Sequence, residues 1–536
     1  MRIRACLLTA AAVLTLTAAQ PEAQRQPDLR GLQTRAERTA HRETSSYDDV
    51  MAFLDAVDRA SPRIAVTTFG YTSEGRPLPL AVVGGGADPQ PKAVRASGKT
   101  RVYIQANIHA GEVEGKESTL ALLRALANGA HKEWLDSMVL LVAPIYNADG
   151  NERVTLVNRG RQHGPIGGMG QRPNAQGYDL NRDHMKLDTS EARSVARLMT
   201  DYDPHVAIDL HTTNGSRHAY HLTYSPPLHP NTDASIVERL RGDWLPSLTK
   251  AIKAKHGWDF YYYGNLNGPR GSERGWWTFD HRPRFGNNYV GLRNRFAVLS
   301  EAYSYLPFKE RIEVTDRFVE ENLAYIHRHA AELRQATAAV DAKRVVGQKL
   351  ALRATFKKSG PVEILIGDVA EERHPYTGEI ILRRLDVRKP EMLPEYGTFE
   401  GTEWGVAPAR YYVPAALGGV VDRLETHGIA MSRVEAPLTR RVQQFRIDGA
   451  SQTERPFEKH QERTLTGAYE SVDATIPAGT YVVSLDQPLG RLAFMLLEPR
   501  SDDGLLNWNV LDEALKDAPA YPILREPAAT PATSAR

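Results

Sequence analysis

Apolar side chains recur at helical spacing soon after the start of the chain. Ser46 and Asp49 form a capping-box pattern, and the apolar positions that follow are Val50, Phe53, Leu54 and Val57. We therefore predict an amphipathic helix that begins here. From this helix to about residue 340, apolar runs such as 102–108 and 139–143 alternate with amphipathic stretches such as 118–126. The alternation predicts an α/β fold with helices on both faces of the sheet.

The pattern changes near residue 345. From there to about 520 the apolar runs are short and mostly lie close to Gly or Pro, at 352–356, 362–366, 380–382, 481–485 and 492–497. One helical stretch, 415–427, interrupts them. We therefore predict a second, β-rich C-terminal domain over 345–520. The remaining residues, 521–536, are rich in Pro, Ala and Thr and are predicted to form a disordered tail.

The N-terminus has the features of a secretory signal peptide. Arg2 and Arg4 precede an apolar stretch over 5–19, and the polar residue Gln20 follows. The apolar stretch is shorter than the ~20 residues that a membrane-spanning helix needs. We predict that residues 1–19 are removed, with cleavage as late as residue 23 as the alternative, and that residues 20–45 form a polar lead. The mature protein is expected to be secreted or periplasmic, without stable membrane insertion.

Charge and cysteine content narrow the classes of protein that remain. Lys and Arg together number 67 against 65 Asp and Glu, so the chain lacks the basic excess typical of nucleic-acid-binding proteins. The single cysteine, Cys6, lies inside the predicted signal peptide. It excludes an intrachain disulfide framework and a zinc site built from several thiolates. A zinc site in the mature chain would have to use His and carboxylate ligands.

Polar side chains follow three of the predicted strands. The run 102–108 is followed by His109-Ala110-Gly111-Glu112, the run 205–210 by His211, and the run 296–300 by Glu301. Ligands of open α/β sheets collect at the carboxyl ends of the strands. If these strands are parallel, two imidazoles and two carboxylates converge on one edge of the sheet.

This set of side chains suits a metal hydrolase. Two imidazoles and a carboxylate, with a fourth position open for water, are the ligand set of a catalytic zinc ion. A further carboxylate can take a proton from that water. The residues predict His109, Glu112 and His211 as ligands of one Zn²⁺ per chain, with Glu301 as the general base. Asp209, two residues before His211, would lie on the same side of its strand and is a candidate partner for an imidazole.

Cationic and amide side chains occur in two further segments. Asn181 and Arg182 are adjacent after a turn at 177–179, and a guanidinium with a neighbouring amide can hold a carboxylate. Arg159 and Arg161 follow another predicted turn, at 147–150. A cation there can stabilise the oxyanion of a tetrahedral intermediate. A solvated surface position remains the alternative for each of these arginines.

Taken in order, these motifs resemble those of the zinc carboxypeptidase family of metallopeptidases. The family pattern is matched over about residues 46–335 by His109-x-x-Glu112, Asn147-Ala148-Asp149-Gly150, Asp179-Leu180-Asn181-Arg182, Asp209-Leu210-His211 and Ser300-Glu301. The resemblance implies a zinc carboxypeptidase-like catalytic domain over 46–340, with a mixed, mostly parallel sheet and helices on both of its faces. It also implies the following roles: zinc ligands His109, Glu112 and His211; water activation by Glu301; binding of the free C-terminal carboxylate of a peptide by Asn181 and Arg182; and an oxyanion role shared by Arg159 and Arg161.

The sequence departs from the family pattern at several positions. Ala148 stands where the family usually has Pro, and Asp183 stands where many members have a second Asn, which alters the charge beside the carboxylate site. For the mobile substrate-binding tyrosine of the family, Tyr289 is the nearest candidate and Tyr303 is another. The family's side-chain pocket falls in 261–294, a segment that does not align. Four arginines lie in or beside it and are either surface charges or part of a pocket for acidic substrates: Arg282, Arg284, Arg293 and Arg295.

Three functions remain open, two of them hydrolases that share the metal site. The first is an exported zinc metallocarboxypeptidase that hydrolyses the C-terminal peptide bond of peptides. The second keeps the metal site but is an amide hydrolase that acts on cell-wall peptides or N-acyl amino acids. The third is a non-catalytic binding protein, against which the complete set of metal ligands and general base argues. Peptide cleavage, amide cleavage and zinc content distinguish the three.

Overall fold

The computed structural model describes residues 29–213 and 215–529, so the predicted signal peptide lies outside the described residues. Within them the helices, numbered α1 to α14 in chain order, are Arg35–Arg38, Tyr47–Ala60, Pro91–Ala96, Glu114–Ala127, Trp134–Ser137, Ala148–Asn151, Ser190–Asp201, Ala234–Arg239, Leu245–His256, Gly286–Leu292, Phe308–Arg328, Ala330–Asp341, Gly418–Thr426 and Gly490–Leu497. The strands, numbered β1 to β17, are Ile64–Tyr71, Pro77–Val83, Thr100–Ala106, Met138–Ala143, Val206–Thr212, Leu222–Ser225, Phe260–Tyr262, Trp276–Trp277, Phe296–Ala302, Lys349–Arg373, Ile380–Val406, Arg410–Val413, Ser432–Arg433, Leu438–Gln452, Arg463–Ile476, Tyr481–Ser484 and Leu524–Glu526. None of the described helices is long and apolar enough to cross a bilayer.

The first long helix, α2, begins as the sequence predicts. The Ser46 side chain accepts a hydrogen bond from the backbone N–H of Asp49, and the Asp49 side chain accepts one from the backbone N–H of Ser46. Two N–H groups at the start of the helix are thereby paired. The buried residues of α2 include Val50, Phe53, Leu54 and Val57. The predicted capping box and buried face are both confirmed.

An eight-stranded mixed sheet forms the centre of the fold, in the order β1-β2-β4-β3-β5-β9-β6-β7. The pairs β3–β4, β3–β5, β5–β9 and β6–β7 are parallel, and the pairs β1–β2, β2–β4 and β6–β9 are antiparallel. Every residue of β3, β4 and β5 is buried, so both faces of the sheet are covered at its centre. The predicted α/β fold class is confirmed.

Three adjacent parallel strands bring the predicted site residues to one edge of this sheet. The strands β3, β5 and β9 are neighbours, and their register pairs His211 of β5 with Glu301 of β9. Ala106, at the end of β3, lies opposite Leu210 of β5, and His109 follows three residues later. The convergence expected from the sequence is therefore present.

The turn at Asn147 holds the loops at this edge together. The Asn147 side-chain amide donates to the carbonyl oxygens of Ile108 at 3.3 Å and Arg172 at 3.2 Å. Two residues later, the fully buried Asp149 accepts a hydrogen bond at 2.6 Å from Arg76, which follows β1. The turn thus joins three loops near the predicted metal site. Asn147 and Asp149 make these contacts, so they do not require Pro in place of Ala148.

Two long hairpins dominate the C-terminal region. The β10–β11 hairpin forms a three-stranded sheet with β8, so Trp276 and Trp277 of the catalytic region contribute its third strand. The β14–β15 hairpin is part of a six-stranded sheet in the order β13-β16-β12-β17-β14-β15. The region is rich in strands, as predicted. The main hydrophobic core extends from Leu29 to Ile523, and a smaller cluster lies within the C-terminal region alone: Tyr412, Val434, Val442 and Ile476.

Two predictions for the C-terminal region are wrong. The apolar run 492–497, predicted as a strand, lies in α14, and every residue of this helix is buried. A helix without a polar face shows no helical periodicity, so a short apolar run does not distinguish it from a strand. The predicted disordered tail begins too early, because Tyr521 and Ile523 are buried and β17 pairs with β12. Burial of these apolar side chains outweighs the Pro- and Ala-rich composition up to residue 529.

Replacing Tyr521 tests whether this terminal segment belongs to the fold. Its ring is 0% exposed, and its hydroxyl donates to the carbonyl oxygen of Leu497 at 3.1 Å. Tyr521→Ala leaves a cavity, and such aromatic-to-Ala changes cost about 3–5 kcal/mol. We expect a clearly lower midpoint of thermal unfolding. Tyr521→Phe, which loses only the hydrogen bond, should cost about 1 kcal/mol. An unchanged midpoint for Tyr521→Ala would contradict the docking of this segment.

Candidate metal centre

The turn between β3 and α4 presents His109 and Glu112. The backbone N–H of Glu112 donates to the carbonyl oxygen of His109 at 2.9 Å, and the Asn107 amide donates to the Ala110 carbonyl at 3.3 Å. At Gly111, a Cβ atom would lie 2.6 Å from Cγ of Arg159. A residue with a side chain at this position would therefore displace the stem of Arg159, which lies directly against the turn.

The three predicted metal ligands converge. His109 Nδ1 lies 3.0 Å from Glu112 Oε1, and His211 Nδ1 lies 3.0 Å from Glu112 Oε2. One donor atom from each of the three buried residues lies within 4.8 Å of the other two. The Nδ1 atoms of both imidazoles therefore face the Glu112 carboxylate. Two nitrogen donors and one carboxylate fit a catalytic zinc ion, which keeps a further position for water.

Two more carboxylates fix the imidazoles in this orientation. His109 Nε2 lies 3.0 Å from Asp179 Oδ1, and His211 Nε2 lies 2.8 Å from Asp209 Oδ2. A carboxylate on the far nitrogen holds the ring in place and makes the near nitrogen a better ligand. The role considered for Asp209 thus agrees with its position. Asp179 plays the same part for His109, and the sequence analysis did not assign it this role.

Burial and charge shift the pKa values of the cluster in opposite directions. Burial raises the pKa of Glu112, but the charges of His109 and Arg159 and the hydrogen bonds from both imidazoles hold it well below its usual range. Burial lowers the pKa of His211, but Asp209 and Glu112 outweigh it and raise that pKa well above its usual range. Glu112 is therefore held in its charged form, as a metal ligand requires, whereas a bound metal would have to displace a proton from His211.

Glu301 stands beside the cluster with an unused oxygen. Its neighbour across the β5–β9 pair is His211, and both residues line one cleft. The Oε2 atom of Glu301 is buried and makes no hydrogen bond to the described residues. Burial raises the pKa of this carboxyl to about 8, although His211 opposes the shift. A buried oxygen without a protein partner is suited to a ligand or to water in the cleft.

The three arginines near the centre lie in different positions. Arg159 Nη2 contacts Glu112 Oε1 at 3.0 Å and donates to the Thr212 carbonyl at 3.2 Å. Arg161 does not line this cleft; it lies in a separate groove that the segment from residue 156 to 169 forms with the β10–β11 hairpin. Arg172 does line the cleft, although the sequence analysis missed it. Its Nε and Nη2 bond to Asp179 Oδ2 at 3.0 and 2.8 Å, and its Nη1 lies 3.8 Å from Glu112 Oε1.

Asn181 and Arg182 both line the cleft, as predicted for carboxylate binding. The Asn181 side-chain oxygen accepts from the backbone N–H of Gly286 at 2.9 Å, which leaves its NH2 group for the cleft. The Arg182 guanidinium lies 3.9 Å from the centre of the Phe285 ring. Asp183, expected to change the charge beside this pair, is fully buried and bonds instead to Lys186 at 2.8 Å. Its charge is therefore neutralised away from the cleft.

Tyr289 is not brought to the cleft. It is 1% exposed, and its hydroxyl bonds to His427 Nδ1 at 2.9 Å. The sequence around Tyr289 and Glu301 could not predict this burial, because the partner His427 comes from the C-terminal region. Among the described residues, the aromatic walls of the cleft are instead Tyr263, Phe279 and Phe285.

The four arginines of segment 282–295 are all engaged by other residues. Arg282 bonds to Asp280, Arg284 to Asp503 and Glu462, Arg293 to the His427 carbonyl and the Tyr289 hydroxyl, and Arg295 to Asp203 and Asp341. These contacts argue against the alternative of a pocket for acidic substrates. Most of the partners are distant in sequence, so the local pattern did not reveal them.

Arg172 is the main residue that sequence reasoning missed. It lies seven residues before Asp179, within the same loop that leads to Asn181 and Arg182. This short separation could have predicted that Arg172 pairs with Asp179, because an arginine and an aspartate at the two ends of a loop can form an ion pair. Four other residues that line the cleft belong to no motif, so the sequence did not predict them: Thr212, Tyr263, Phe279 and Leu299.

Comparisons with known proteins agree on one family. The family model described as zinc carboxypeptidase matches residues 50–214. Carboxypeptidase 2 of Trichophyton rubrum is 24% identical over 498 residues, which cover 89% of this chain and 86% of the relative. Carboxypeptidase 2 of Trichophyton tonsurans is 24% identical over 473 residues, which cover 85% of this chain and 81% of the relative.

One similar solved structure is a metallo-carboxypeptidase from Burkholderia cenocepacia. It is 18% identical, covers 53% of this chain and 70% of its own, and has a TM-score of 0.39. The family match itself includes His109, Glu112 and His211, and the Trichophyton relatives align over most of the chain. Over residues 50–214 the chain is therefore similar to zinc carboxypeptidases, and over most of its length it is similar, at 24% identity, to carboxypeptidase 2 of two Trichophyton species.

Proposed function

We propose that this chain is an exported zinc metallocarboxypeptidase that removes the C-terminal residue of peptides. One observation carries the proposal: Asn181 and Arg182 line the same cleft as the three metal ligands and Glu301. A peptide whose terminal carboxylate binds to Asn181 and Arg182 presents its last amide bond to the metal ligands and Glu301. The substrate class is therefore a peptide with a free C-terminus.

The metal ligands of this proposal are His109, Glu112 and His211, which hold one zinc ion per chain. When bound, zinc polarises the scissile carbonyl and lowers the pKa of a water ligand. Asp179 and Asp209 keep the two imidazoles oriented through their Nε2 atoms. Arg159 supports the third ligand by its contact with Glu112.

Glu301 is the proposed general base. Its unpaired, buried Oε2 is available to accept a proton from the attacking water and to pass it to the departing amine. Burial raises the pKa of this carboxyl to about 8, and the positive charge of a bound zinc ion would lower it toward the range in which the ionised base prevails.

Arg172 is the proposed donor to the oxyanion. Asp179 holds Nε and Nη2 of its guanidinium, so Nη1 is the nitrogen that remains on the side of Glu112. A fixed cation at that point stabilises negative charge that develops on the scissile carbonyl oxygen. We assign this role to Arg172 rather than to Arg161, because Arg161 does not line the cleft.

The carboxylate site uses two kinds of donor. The NH2 group of Asn181 and the guanidinium of Arg182 are both on the cleft side, and Phe285 supports the flat face of the guanidinium. Burial lowers the pKa of Arg182, opposed by Asp179. A partly desolvated cation of this kind gains most from an anionic partner.

Replacing Glu301 tests the catalytic part of the proposal. We expect Glu301→Gln to retain zinc, because it is not one of the three ligands, and to lose activity ~10²–10⁴-fold in kcat as a lost general base. The measurement is release of the terminal amino acid from a peptide, together with zinc content by elemental analysis. Chelation should abolish wild-type activity, and added zinc should restore it. Full activity of Glu301→Gln would contradict the mechanism.

The same assay separates Arg172 from other arginines. Arg172→Gln should lose ~10²–10³-fold in kcat if it stabilises the oxyanion. Arg197→Gln is the matched control, since Arg197 lies on the exposed face of α7.

Including N-acyl amino acids and cell-wall peptides in the substrate panel tests the amide-hydrolase alternative. Cleavage of these compounds without cleavage of ordinary peptides would favour that alternative.

Amidating the substrate tests the carboxylate site. A C-terminal amide cannot form charge-assisted hydrogen bonds to Arg182, so we expect ~10–100-fold lower kcat/KM than for the free acid. In Arg182→Gln the free acid should slow while the amidated peptide changes little, so the difference between the two substrates shrinks. Equal kcat/KM for acid and amide in the wild type would refute carboxylate recognition.

Export is proposed from the basic, apolar and polar segments over residues 1–20. We expect the chain recovered from the medium or periplasm to begin at Gln20 or Gln24, as found by N-terminal sequencing. A variant that lacks residues 2–19 should remain in the cytoplasm. Recovery of the intact N-terminus in the membrane fraction would contradict cleavage.

A further inference from the structure

The tip of the β14–β15 hairpin contacts the loop that leads to Asn181 and Arg182. The hairpin turns at two residues, Glu458 and Lys459, because the backbone N–H groups of the residues on either side of them each donate to the other's carbonyl oxygen, at 2.8 and 2.9 Å. The Glu458 carboxylate accepts a hydrogen bond at 2.9 Å from the backbone N–H of Asp179. A side chain of the C-terminal region is therefore bonded to the backbone just before the carboxylate site.

Lys459 contacts the same loop at a second place. Its ammonium donates to the carbonyl oxygen of Gln176 at 2.6 Å and lies 4.0 Å from the centre of the Tyr178 ring. A cation above an aromatic ring is attracted by the negative face of the ring. The two side chains at the hairpin tip thus contact three of the four residues from 176 to 179.

The backbone conformation of the turn does not suit Glu and Lys. The φ angles are 48° at Glu458 and 67° at Lys459, both in the left-handed region. A two-residue hairpin turn with positive φ at both positions is favoured by sequences such as Asn-Gly, because a Cβ atom disfavours this conformation. Unfavourable conformations persist where surrounding contacts hold them, and they cluster at functional sites. The contacts of the two side chains, rather than the turn itself, therefore account for Glu and Lys at these positions.

Asp179 connects the hairpin tip to the metal centre. Its side chain contacts the Nε2 atom of His109 and the guanidinium of Arg172, and it accepts a hydrogen bond from the backbone N–H of Asn181 at 2.9 Å. The Asp179 N–H is the group that Glu458 holds. A shift of the Asp179 backbone would therefore move both the partner of a metal ligand and the start of the turn that carries the carboxylate site.

The hairpin tip is also docked by contacts that do not involve Glu458 or Lys459. His460 Nε2 bonds to Asp188 Oδ2 at 2.7 Å. The Phe457 ring lies 5.3 Å from the guanidinium carbon of Arg284. Because these contacts come from the residues on either side of the turn, the hairpin should stay in place when the two turn residues are replaced.

We propose that Glu458 and Lys459 are positioning residues for the metal centre and the carboxylate site. They hold the loop before the carboxylate site in the place from which Asp179 orients His109. They also fix the start of the turn that presents the carboxylate site to substrate, a part of the proposal that rests on the carboxypeptidase function proposed above. The C-terminal region accordingly takes part in forming the active site.

Replacing both residues by those that the turn favours separates positioning from folding. Glu458→Asn/Lys459→Gly gains a favourable turn and loses both side-chain contacts, so we expect a thermal midpoint within ~3 °C of wild type or higher. Zinc should nevertheless transfer to a chromogenic chelator ~5–10-fold faster, measured without substrate, and kcat/KM for a free-acid peptide should fall ~5–10-fold. These effects are smaller than the ~10–100-fold cost of losing a ligand's direct partner, because Glu458 acts through Asp179.

Single replacements assign the effect to one atom. Glu458→Ala removes the acceptor of the Asp179 N–H and should speed zinc transfer, lower kcat/KM and reduce the difference between free-acid and amidated peptides. Glu458→Gln keeps an oxygen that can accept this hydrogen bond and should restore most of the loss. Glu454→Ala is the matched control, since Glu454 is exposed in the same loop and no hydrogen bond or ion pair joins it to the rest of the described chain. It should change none of these quantities.

The outcomes separate this proposal from the function on which part of it rests. Wild-type zinc transfer and kcat/KM in Glu458→Ala would overturn the proposal and leave the carboxypeptidase function standing. A loss that Glu458→Gln shares in full, or a midpoint of the double variant lowered by more than ~3 °C, would show that the tip serves folding alone and overturn it as well. Failure of the wild type to cleave any peptide would refute the carboxypeptidase function. Faster zinc transfer in Glu458→Ala would then still support positioning of the metal centre.

Discussion

A buried carboxylate keeps its charge only if other groups compensate it, and this constraint organises the site around Glu112. Its two oxygens are shared between His109, His211 and Arg159, each at 3.0 Å. Burial disfavours the charged form, and these partners outweigh it, so the pKa of Glu112 lies well below its usual range. The partners come from the β3–α4 turn, from β5 and from the loop after α6. Positions that are far apart in sequence are therefore held together by one buried negative charge.

The same requirement spreads outward to further carboxylates. Each imidazole that faces Glu112 has a second nitrogen that needs a partner, and Asp179 and Asp209 provide it. Asp179 in turn pairs with Arg172. Its backbone N–H donates at 2.9 Å to Glu458, in the loop that joins β14 to β15. The C-terminal region thus contacts Asp179 through one hairpin and lies against the segment from residue 156 to 169 with the other hairpin.

The parts of this arrangement that follow local patterns could be predicted from the sequence. The capping box at Ser46 needs only neighbouring residues, and the convergence of His109, His211 and Glu301 follows from the rule that parallel strands end at one edge. The pairing of Asp179 with His109 could not be predicted, because 70 residues separate the two and their contact depends on the loop between them. Likewise, Tyr289 lies near Glu301 in sequence, but its hydroxyl is taken by a histidine 138 residues later.

The C-terminal errors have the same physical origin. A short apolar run carries no information about whether it forms a fully buried helix or a strand, and α14 is buried on all sides. Residues 521–529 have the composition of a flexible tail, yet Tyr521 and Ile523 fill space in a core to which distant elements contribute. Composition describes the average cost of ordering a segment, whereas its order depends on whether a few of its side chains find a cavity of the right shape.

The surroundings of Arg182 give the proposed exopeptidase action a physical basis. Arg182 is largely buried, is flanked by the ring of Phe285, and has its closest carboxylate, Asp179, at 3.9 Å. Asp179 is already engaged by His109 and Arg172 and therefore compensates the charge of Arg182 only in part. A terminal carboxylate supplies the missing negative charge, whereas the neutral carbonyl of an internal peptide bond would displace water from the guanidinium without replacing its stabilisation. Arg182 is thus suited to a chain that ends at this point, as the proposed carboxypeptidase action requires.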